Sequence, residues 1–169
     1  MEKVLDPIAV KEVNELVQKG LVCLDEFRGL SQEQVDYIVA KVSTSVLDHH
    51  EYLARIAIEE TKRGVFEDKC TKNLFACEYI TNAMRHLKTC GIISDDPVTG
   101  ITEIADPLGV ICGITPVTNP TSTVIFKSLI SLKTRNPIVF AFHPNAQKCC
   151  VKTAEIIKEA AIKAGAPKD

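Results

Sequence analysis

The residues best suited to chemistry stand in one turn, T-P-V-T-N at positions 115–119, between an apolar run and a segment that begins with Pro120. In open α/β sheets ligands bind beyond the carboxyl ends of strands, where a helix N-terminus offers N–H groups to an oxyanion. Asn119 therefore has two interpretations. Its amide oxygen can cap the helix by accepting from a backbone N–H such as that of Ser122, or its NH2 can stabilise a carbonyl oxygen that gains charge. The residues alone favour the cap.

The seven cysteines and four histidines give weaker signals. The cysteines form no C-x-x-C pair, which favours reduced thiols over disulfides or a zinc site. Cys112 stands inside an apolar run and is predicted to be a small core residue, while Cys70 and Cys77 should pack on one helix face. His143 follows a core strand, where a ligand could reach it, but a solvated turn histidine is the favoured interpretation. No spacing of histidines and carboxylates indicates a metal site.

Composition excludes several classes of function. The chain has 169 residues, 46% hydrophobic and 25% charged, with a net charge of −2. This balance is that of an ordinary globular protein and provides no basic surface for nucleic acid or an anionic membrane. Neither G-x-G-x-x-G nor G-x-x-x-x-G-K-[ST] occurs. The first ten residues contain no signal-peptide run and no stretch approaches the ~18 apolar residues of a membrane helix, so we expect a cytoplasmic location.

The elements that must position the turn follow two patterns. Residues 1–90 predict a helical segment: Asp6 and Pro7 begin the first helix, and Ser31 with Gln34 forms a capping box before the second. Further helices are expected at about residues 52–61 and 67–87. The apolar stripe of the first helix predicts a layer that packs on another element, and its members are Val10, Val13, Leu16, Val17, Leu21 and Leu24.

After Gly91 the pattern changes to strands and helices in alternation. Residues 91–106 predict a turn and one short strand at 101–105. Residues 107–169 predict strand, helix, strand and helix, which implies a parallel sheet. The run from Leu108 to Ile114 suits a strand covered on both faces, with a second strand at 138–142. Because two parallel strands make a poor sheet, we expect the α/β domain to be incomplete at its C-terminus.

Three long segments resemble a known family. They are KTCGIISDD (88–96), DPLGVICGITPVTNPTSTVIFKSLISLKTRNPIVFAFHPNAQ (106–147) and AAIKAGAPKD (160–169). All three resemble the N-terminal portion of the CoA-acylating half of bifunctional aldehyde-alcohol dehydrogenases, within the aldehyde dehydrogenase superfamily. The resemblance implies an N-terminal helical layer followed by the start of a Rossmann-like parallel sheet. It also implies that the strand near residues 101–105 is an oligomerisation arm, and hence a homo-oligomer.

The resemblance also implies the chemistry. The expected reaction is aldehyde plus CoA plus NAD to acyl-CoA plus NADH, through a thiohemiacetal and a thioester on a cysteine that no residue of this chain matches. Asn119 then becomes the oxyanion donor. The implied NAD-pocket residues are Ile114, Thr115, Pro116, Val117, Thr118 and Asn119, with His143 and Pro144 matching the H-P pair of acylating members.

Two hypotheses of different class follow from these residues. In the first, the chain is a segment of an acylating aldehyde dehydrogenase and is inactive alone because it lacks the nucleophile. In the second, it is a non-catalytic remnant or interaction module that binds full-length subunits. Both share the residues up to Asp169, so the sequence that follows Asp169 would discriminate them.

Overall fold

The computed structural model describes residues 6–168 as helices with two small sheets. The helices are α1 (Pro7–Arg28), α2 (Gln32–Leu47), α3 (His50–Thr61), α4 (Phe66–Met84), α5 (Pro120–Lys133) and α6 (Gln147–Lys163). The strands are β1 (Gly91–Asp96), β2 (Ile101–Ala105), β3 (Ile111–Ile114) and β4 (Ile138–Ala141), and a 3-10 turn spans Pro144–Ala146. The predicted combination of a helical layer with a parallel α/β unit is confirmed.

The predicted helix starts are confirmed where a side chain provides the cap. Asp6 Oδ1 accepts the backbone N–H of Ile8 at 3.0 Å, and Pro7 fills the first helical position. Ser31 Oγ accepts from Gln34 N at 3.3 Å while Gln34 Oε1 accepts from Ser31 N at 2.8 Å, which completes the capping box. Both caps satisfy N–H groups that have no partner inside the helix.

The core lies where α2 packs against α4, α5 and α6. It joins side chains from both halves of the chain, so the helical segment covers the helices of the α/β unit. Its largest fully buried members are Val35, Ile38, Val42, Val46, Leu53, Val124, Ile125 and Leu129. Burial of about 1.5–3 kcal/mol per such side chain makes this cluster the main source of stability.

Helix α1 contributes only its C-terminal turns to this core. Cys23, Leu24 and Phe27 are buried. The predicted stripe is helical, but Val10, Val13, Leu16 and Leu21 are 39–54% exposed. The layer that this stripe was expected to meet is not formed by residues 6–168.

Strands β1 and β2 form an antiparallel hairpin that pairs Gly91 with Ala105 and Asp96 with Ile101. The strand at 101–105 was predicted, but β1 was expected to be part of the turn. Strand β1 ends in Asp95 and Asp96, residues that are depleted in strands and common in turns. In the structure these carboxylates bind hydroxyl groups, Asp95 that of Thr102 and Asp96 that of Thr99, each at 2.7 Å.

The buried guanidinium of Arg135 ties the base of the hairpin to the helices. It donates to the carbonyl oxygens of Arg28 at 3.1 Å, Thr89 at 3.4 Å and Ala105 at 3.0 Å. These carbonyls lie at the end of α1 and on either side of the hairpin. Arg135 therefore fixes where the hairpin leaves the core.

Strands β3 and β4 are parallel, as predicted, and in their register Ile111 lies opposite Ile138 and Ile114 opposite Ala141. The expectation that the first strand would be covered on both faces is wrong, and so is the core position of Cys112. Gly113 is buried while Cys112 and Ile114 are exposed, because side chains alternate along a strand and the described residues cover only one face. The strand also begins later than predicted, and Leu108 is 90% exposed.

No helix within residues 6–168 is both long enough and apolar enough to cross a membrane. The same residues bring together no three His, Cys, Asp or Glu side chains that could hold a metal ion.

Candidate functional site

The candidate site lies at the edge where the parallel strands β3 and β4 both end. Thr115 N donates to Ala141 O at 3.1 Å, so the two strands stay paired up to this edge. Residues 115–119 leave it toward α5, and His143 and Pro144 leave it toward α6. The fold therefore brings the two groups of predicted site residues to one side of the sheet, which is the side where α/β folds bind ligands.

Most of the predicted pocket residues are accessible at this edge. Ile114 is 68% exposed, Pro116 and Thr118 are exposed, and Val117 is half-buried. Thr115 is different: it is 3% exposed, and its hydroxyl lies 3.8 Å from Cys150 Sγ in the interior. Its side chain faces α6 and is already engaged there.

Asn119 occupies the N-cap position of α5 but does not cap it with its side chain. Its backbone oxygen accepts from Thr123 N at 3.2 Å, while its Oδ1 accepts from Lys72 Nζ of α4 at 3.0 Å. The favoured interpretation, in which Oδ1 accepts from a backbone N–H such as that of Ser122, is therefore wrong. Pro120 does fill the first helical position, as predicted.

The two N–H groups of Asn119 Nδ2 are available to donate hydrogen bonds to a ligand. The described residues offer Asn119 Nδ2 no hydrogen-bond acceptor, and no side chain caps the first turn of α5. An NH2 group thus lies beside the positive end of a helix dipole. Asn119 also lines a groove between α4 and α5, whose other walls include Lys72, Phe75, Ala76, Ile80 and Phe126. The apolar side chains of this groove suit a small apolar group, and the Asn119 amide suits a carbonyl bonded to that group.

Helix α4 supports the turn with a row of polar side chains that sequence reasoning missed. Lys69, which is 6% exposed, donates to Thr118 O at 2.9 Å. Burial, together with the nearby charge of Lys72, lowers the pKa of this ammonium. Asn73 accepts from Thr121 Oγ1 at 2.9 Å. The spacing of 69, 72 and 73 on one helical face was the signal that could have identified them.

His143 follows β4 and is half-buried. Its Nδ1 accepts from Asn145 N at 3.1 Å, so the neutral ring carries its proton on Nε2. Pro144 is exposed and begins the 3-10 turn. His143 thus has a structural role in the turn, and Nε2 is the atom through which it could reach a ligand.

The N-terminus of α6 is already occupied by a carboxylate. Glu60 of α3 accepts from Lys148 N at 2.9 Å and from Cys149 N at 2.7 Å. Since these N–H groups are the ones that would bind an anion, α6 offers less to a phosphate than α5 does.

Three of the thiols, those of Cys70, Cys77 and Cys149, are poor nucleophiles because their pKa is raised. Burial raises the pKa of Cys77 to about 12. The hydrogen bond with Cys150, together with burial, raises the pKa of Cys149. Cys70 is half-buried, and desolvation raises its pKa too. A thiol held protonated does not attack a carbonyl at neutral pH.

Comparisons with known proteins agree on one family. The model of the family described as "Aldehyde dehydrogenase family" matches residues 6–169. An aldehyde-alcohol dehydrogenase of Streptococcus pneumoniae is 67% identical over 162 residues, which are 96% of this chain and 18% of that protein. The chain thus spans less than a fifth of the length of this curated relative.

Solved structures show the same similarity in three dimensions. A crystal structure of an acetylating aldehyde dehydrogenase from Geobacillus thermoglucosidasius matches with a TM-score of 0.92 and 43% identity, over 94% of this chain and 35% of that one. A propionaldehyde dehydrogenase from Rhodopseudomonas palustris, solved with bound CoA and an acylated cysteine, matches with a TM-score of 0.76 and 28% identity, over 92% of this chain and 35% of that one.

Proposed function

The chain belongs to the aldehyde dehydrogenase family, and we propose that it forms the N-terminal part of a CoA-acylating, NAD-dependent member. In this role it supplies the oxyanion donor Asn119 and one wall of the cofactor pocket. The substrates would be a small aldehyde and CoA, and the product an acyl-CoA.

The observation that carries the proposal is the state of the Asn119 amide. Its oxygen is bound by Lys72 at 3.0 Å and its nitrogen is not used within residues 6–168. When a thiolate attacks an aldehyde, the carbonyl oxygen gains negative charge, and a fixed N–H donor stabilises that charge more than the neutral carbonyl. The N–H groups in the uncapped first turn of α5 would add to this field.

The residues at the sheet edge fit a nicotinamide dinucleotide. The exposed Ile114 and Pro116 offer apolar surface for a planar ring, and the half-buried Val117 extends it. His143 offers Nε2 and Thr118 a hydroxyl group as polar partners. Thr115 would contribute through the backbone conformation of the turn, since its side chain is buried. When bound, NAD would accept the hydride.

We assign the nucleophile to none of the cysteines of this chain. Cys77, Cys149 and Cys150 are buried, and Cys112 lies within β3 rather than in the turn with Asn119. A cysteine from the remainder of the catalytic domain is required. The chain alone is therefore expected to be inactive.

We also propose that residues 91–106 contact a second subunit. The hairpin is exposed, and Ile92, Ile101 and Ile104 are 59–66% exposed along it. An apolar hairpin with unpaired edges is a surface that another chain can cover.

A chimera tests the proposed function. Residues 6–168 would replace the matching segment of the Geobacillus thermoglucosidasius acetylating aldehyde dehydrogenase, and NADH formation from acetaldehyde, CoA and NAD would be followed at 340 nm. We expect an active chimera in which Asn119→Ala lowers kcat by a factor on the order of 10² to 10³. Asn14→Ala, at an exposed position of α1, is the control and should keep the activity. An active chimera with unchanged kcat after Asn119→Ala would overturn the assignment.

A further inference from the structure

We propose that Lys72 is a positioning residue that selects which end of the Asn119 amide faces the reacting carbonyl. This inference rests on the proposed oxyanion role of Asn119 and deepens it. Lys72 touches no reacting atom in this scheme. It acts through the 3.0 Å hydrogen bond that its Nζ donates to Asn119 Oδ1.

The chemistry of the two groups explains the selection. The carbonyl and NH2 ends of an asparagine amide have almost the same size, so packing alone discriminates them poorly. An ammonium has three donors and no acceptor, and it can pair only with the oxygen. With Oδ1 held at Lys72, the two N–H donors of Nδ2 face away from it. In the opposite orientation a lone pair would face the developing oxyanion and repel it.

The backbone around Asn119 is held by the same helix. Lys69 binds the carbonyl oxygen of Thr118, the residue before Asn119, at 2.9 Å. On the other side of the turn, Thr121 Oγ1 donates to Asn73 Oδ1 at 2.9 Å. The amide of Asn73 is fixed in turn, because its Nδ2 donates to His50 O at 3.0 Å. Helix α4 therefore fixes the turn on both sides of Asn119.

Lys72 differs from Lys69 and Asn73, which support the turn itself. Lys69 and Asn73 are buried and hold the main chain and Thr121, whereas Lys72 is exposed and binds only the Asn119 side chain among the described residues. A substitution at Lys72 should therefore leave the fold intact and change the orientation of one amide. Arginine, which also has donors and no acceptor, should keep that orientation.

A double-mutant cycle in the active chimera tests the proposal. Lys72→Met, Asn119→Ala and the double variant would be compared by kcat and KM, with Lys72→Arg as the rescue and Lys152→Met, at a half-exposed position of α6, as control. We expect Lys72→Met to lower kcat roughly 10- to 100-fold with little change in KM, in the range that misplaced supporting residues produce. The double variant should be no slower than Asn119→Ala, because Lys72 acts through that amide. Lys72→Arg should recover most of the activity.

A spectroscopic measurement on the chain itself gives a readout that does not depend on turnover. In 15N–1H NMR spectra, the side-chain NH2 signals of Asn119 should shift in Lys72→Met and return toward their original positions in Lys72→Arg. The same signals should stay in place in Lys152→Met.

The outcomes distinguish this proposal from the proposed function. If Asn119→Ala lowers kcat but Lys72→Met keeps full kcat, Lys72 is not a positioning residue and the oxyanion role stands. The same conclusion follows if the loss of kcat in the double variant is the product of the losses in the two single variants. If Asn119→Ala itself keeps full kcat, both proposals fail. NH2 signals that do not respond to Lys72→Met would also overturn the inference about Lys72.

Discussion

The carboxylate of Glu60 accepts the backbone N–H of Cys149 at 2.7 Å and so joins the end of α3 to the first turn of α6. It accepts Lys148 N as well, at 2.9 Å. The two helices are thus connected across 88 to 89 residues of sequence by one side chain. The two hydrogen bonds satisfy N–H groups that α6 would otherwise leave without a partner.

Glu60→Gln should make stability less dependent on pH. Burial raises the pKa of Glu60, but the hydrogen bonds from Cys149 and Lys148 lower it more, so its folded pKa lies below its ordinary value of 4.5. The unfolded chain then binds the proton more readily, and the stabilisation is present above about pH 5 and is lost as the pH falls through the folded pKa. At pH 7 the variant should lose about 0.5–2 kcal/mol, as for other helix caps.

Thermal unfolding of the chain between pH 3 and pH 7 measures this effect. The difference in Tm between wild type and Glu60→Gln should become smaller as the pH falls. Glu155→Gln is the matched control, because Glu155 is exposed and pairs with Lys152 on its own helix. A gap that stays constant with pH would contradict the role of the Glu60 charge.

Asn119→Ala should hardly change the stability of the chain. The Asn119 side chain makes no cap bond, and within residues 6–168 its one hydrogen bond is to the exposed Lys72. We expect a loss of less than about 0.5 kcal/mol, as at surface positions. Ser31→Ala, which removes a true cap, should cost about 1 kcal/mol. Urea unfolding compares the two, and an equal loss in both would restore the cap interpretation.

Arg135→Met should loosen the hairpin at its base. The substitution removes the hydrogen bonds to the carbonyls of Thr89 and Ala105 and leaves them without this partner. Each charged hydrogen bond is worth about 1.5–3 kcal/mol, so a loss of about 2 kcal/mol or more is expected. Hydrogen exchange by mass spectrometry should show faster exchange in residues 91–105. The exposed Arg63→Met serves as control, and unchanged exchange in both variants would contradict the clamp.

Cys112 should be the fastest thiol to react in the native chain. It is exposed on β3, whereas Cys77 is fully buried with a pKa raised to about 12. Titration with a chromogenic disulfide should show one rapid phase that Cys112→Ser abolishes. Persistence of that phase in Cys112→Ser would show that another thiol is exposed.

Gly113→Ala should destabilise the parallel pair. A Cβ at Gly113 would lie 2.7 Å from Phe140 Cδ1 and 2.9 Å from Ile138 Cδ1. Relieving such contacts typically costs about 1–3 kcal/mol. Gly29→Ala is the control, since its nearest contact would be an ordinary 3.5 Å. Denaturant midpoints measure both, and equal midpoints would contradict the close packing.

Features governed by neighbours in sequence were predictable. The caps at Asp6 and Ser31 join residues two or three positions apart, and both were predicted from residue type and spacing. The parallel pairing of β3 with β4 followed from the order of the elements. The turn at 115–119 was identified from its place between a strand and a helix.

Features governed by distant partners were not predictable. The bond that withdraws Asn119 Oδ1 from the cap comes from Lys72, 47 residues earlier. The exposure of Cys112 depends on what covers the second face of β3, which an apolar run does not reveal. In both cases the prediction relied on neighbouring residues in the sequence. The orientation of the Asn119 side chain and the exposure of Cys112 depend instead on the presence or absence of a tertiary contact.

The contacts between α4 and the turn can form only after the residues of the turn have been synthesised. Lys69 and Lys72 precede their partners Thr118 and Asn119 by 49 and 47 residues. At about 5–20 residues per second, the ribosome adds that length in roughly 2–10 s. Throughout this interval α4 has been made but its partners have not, and an ammonium such as that of Lys69 keeps its water shell until one arrives. Docking of α4 is therefore expected to follow the emergence of α5 rather than precede it.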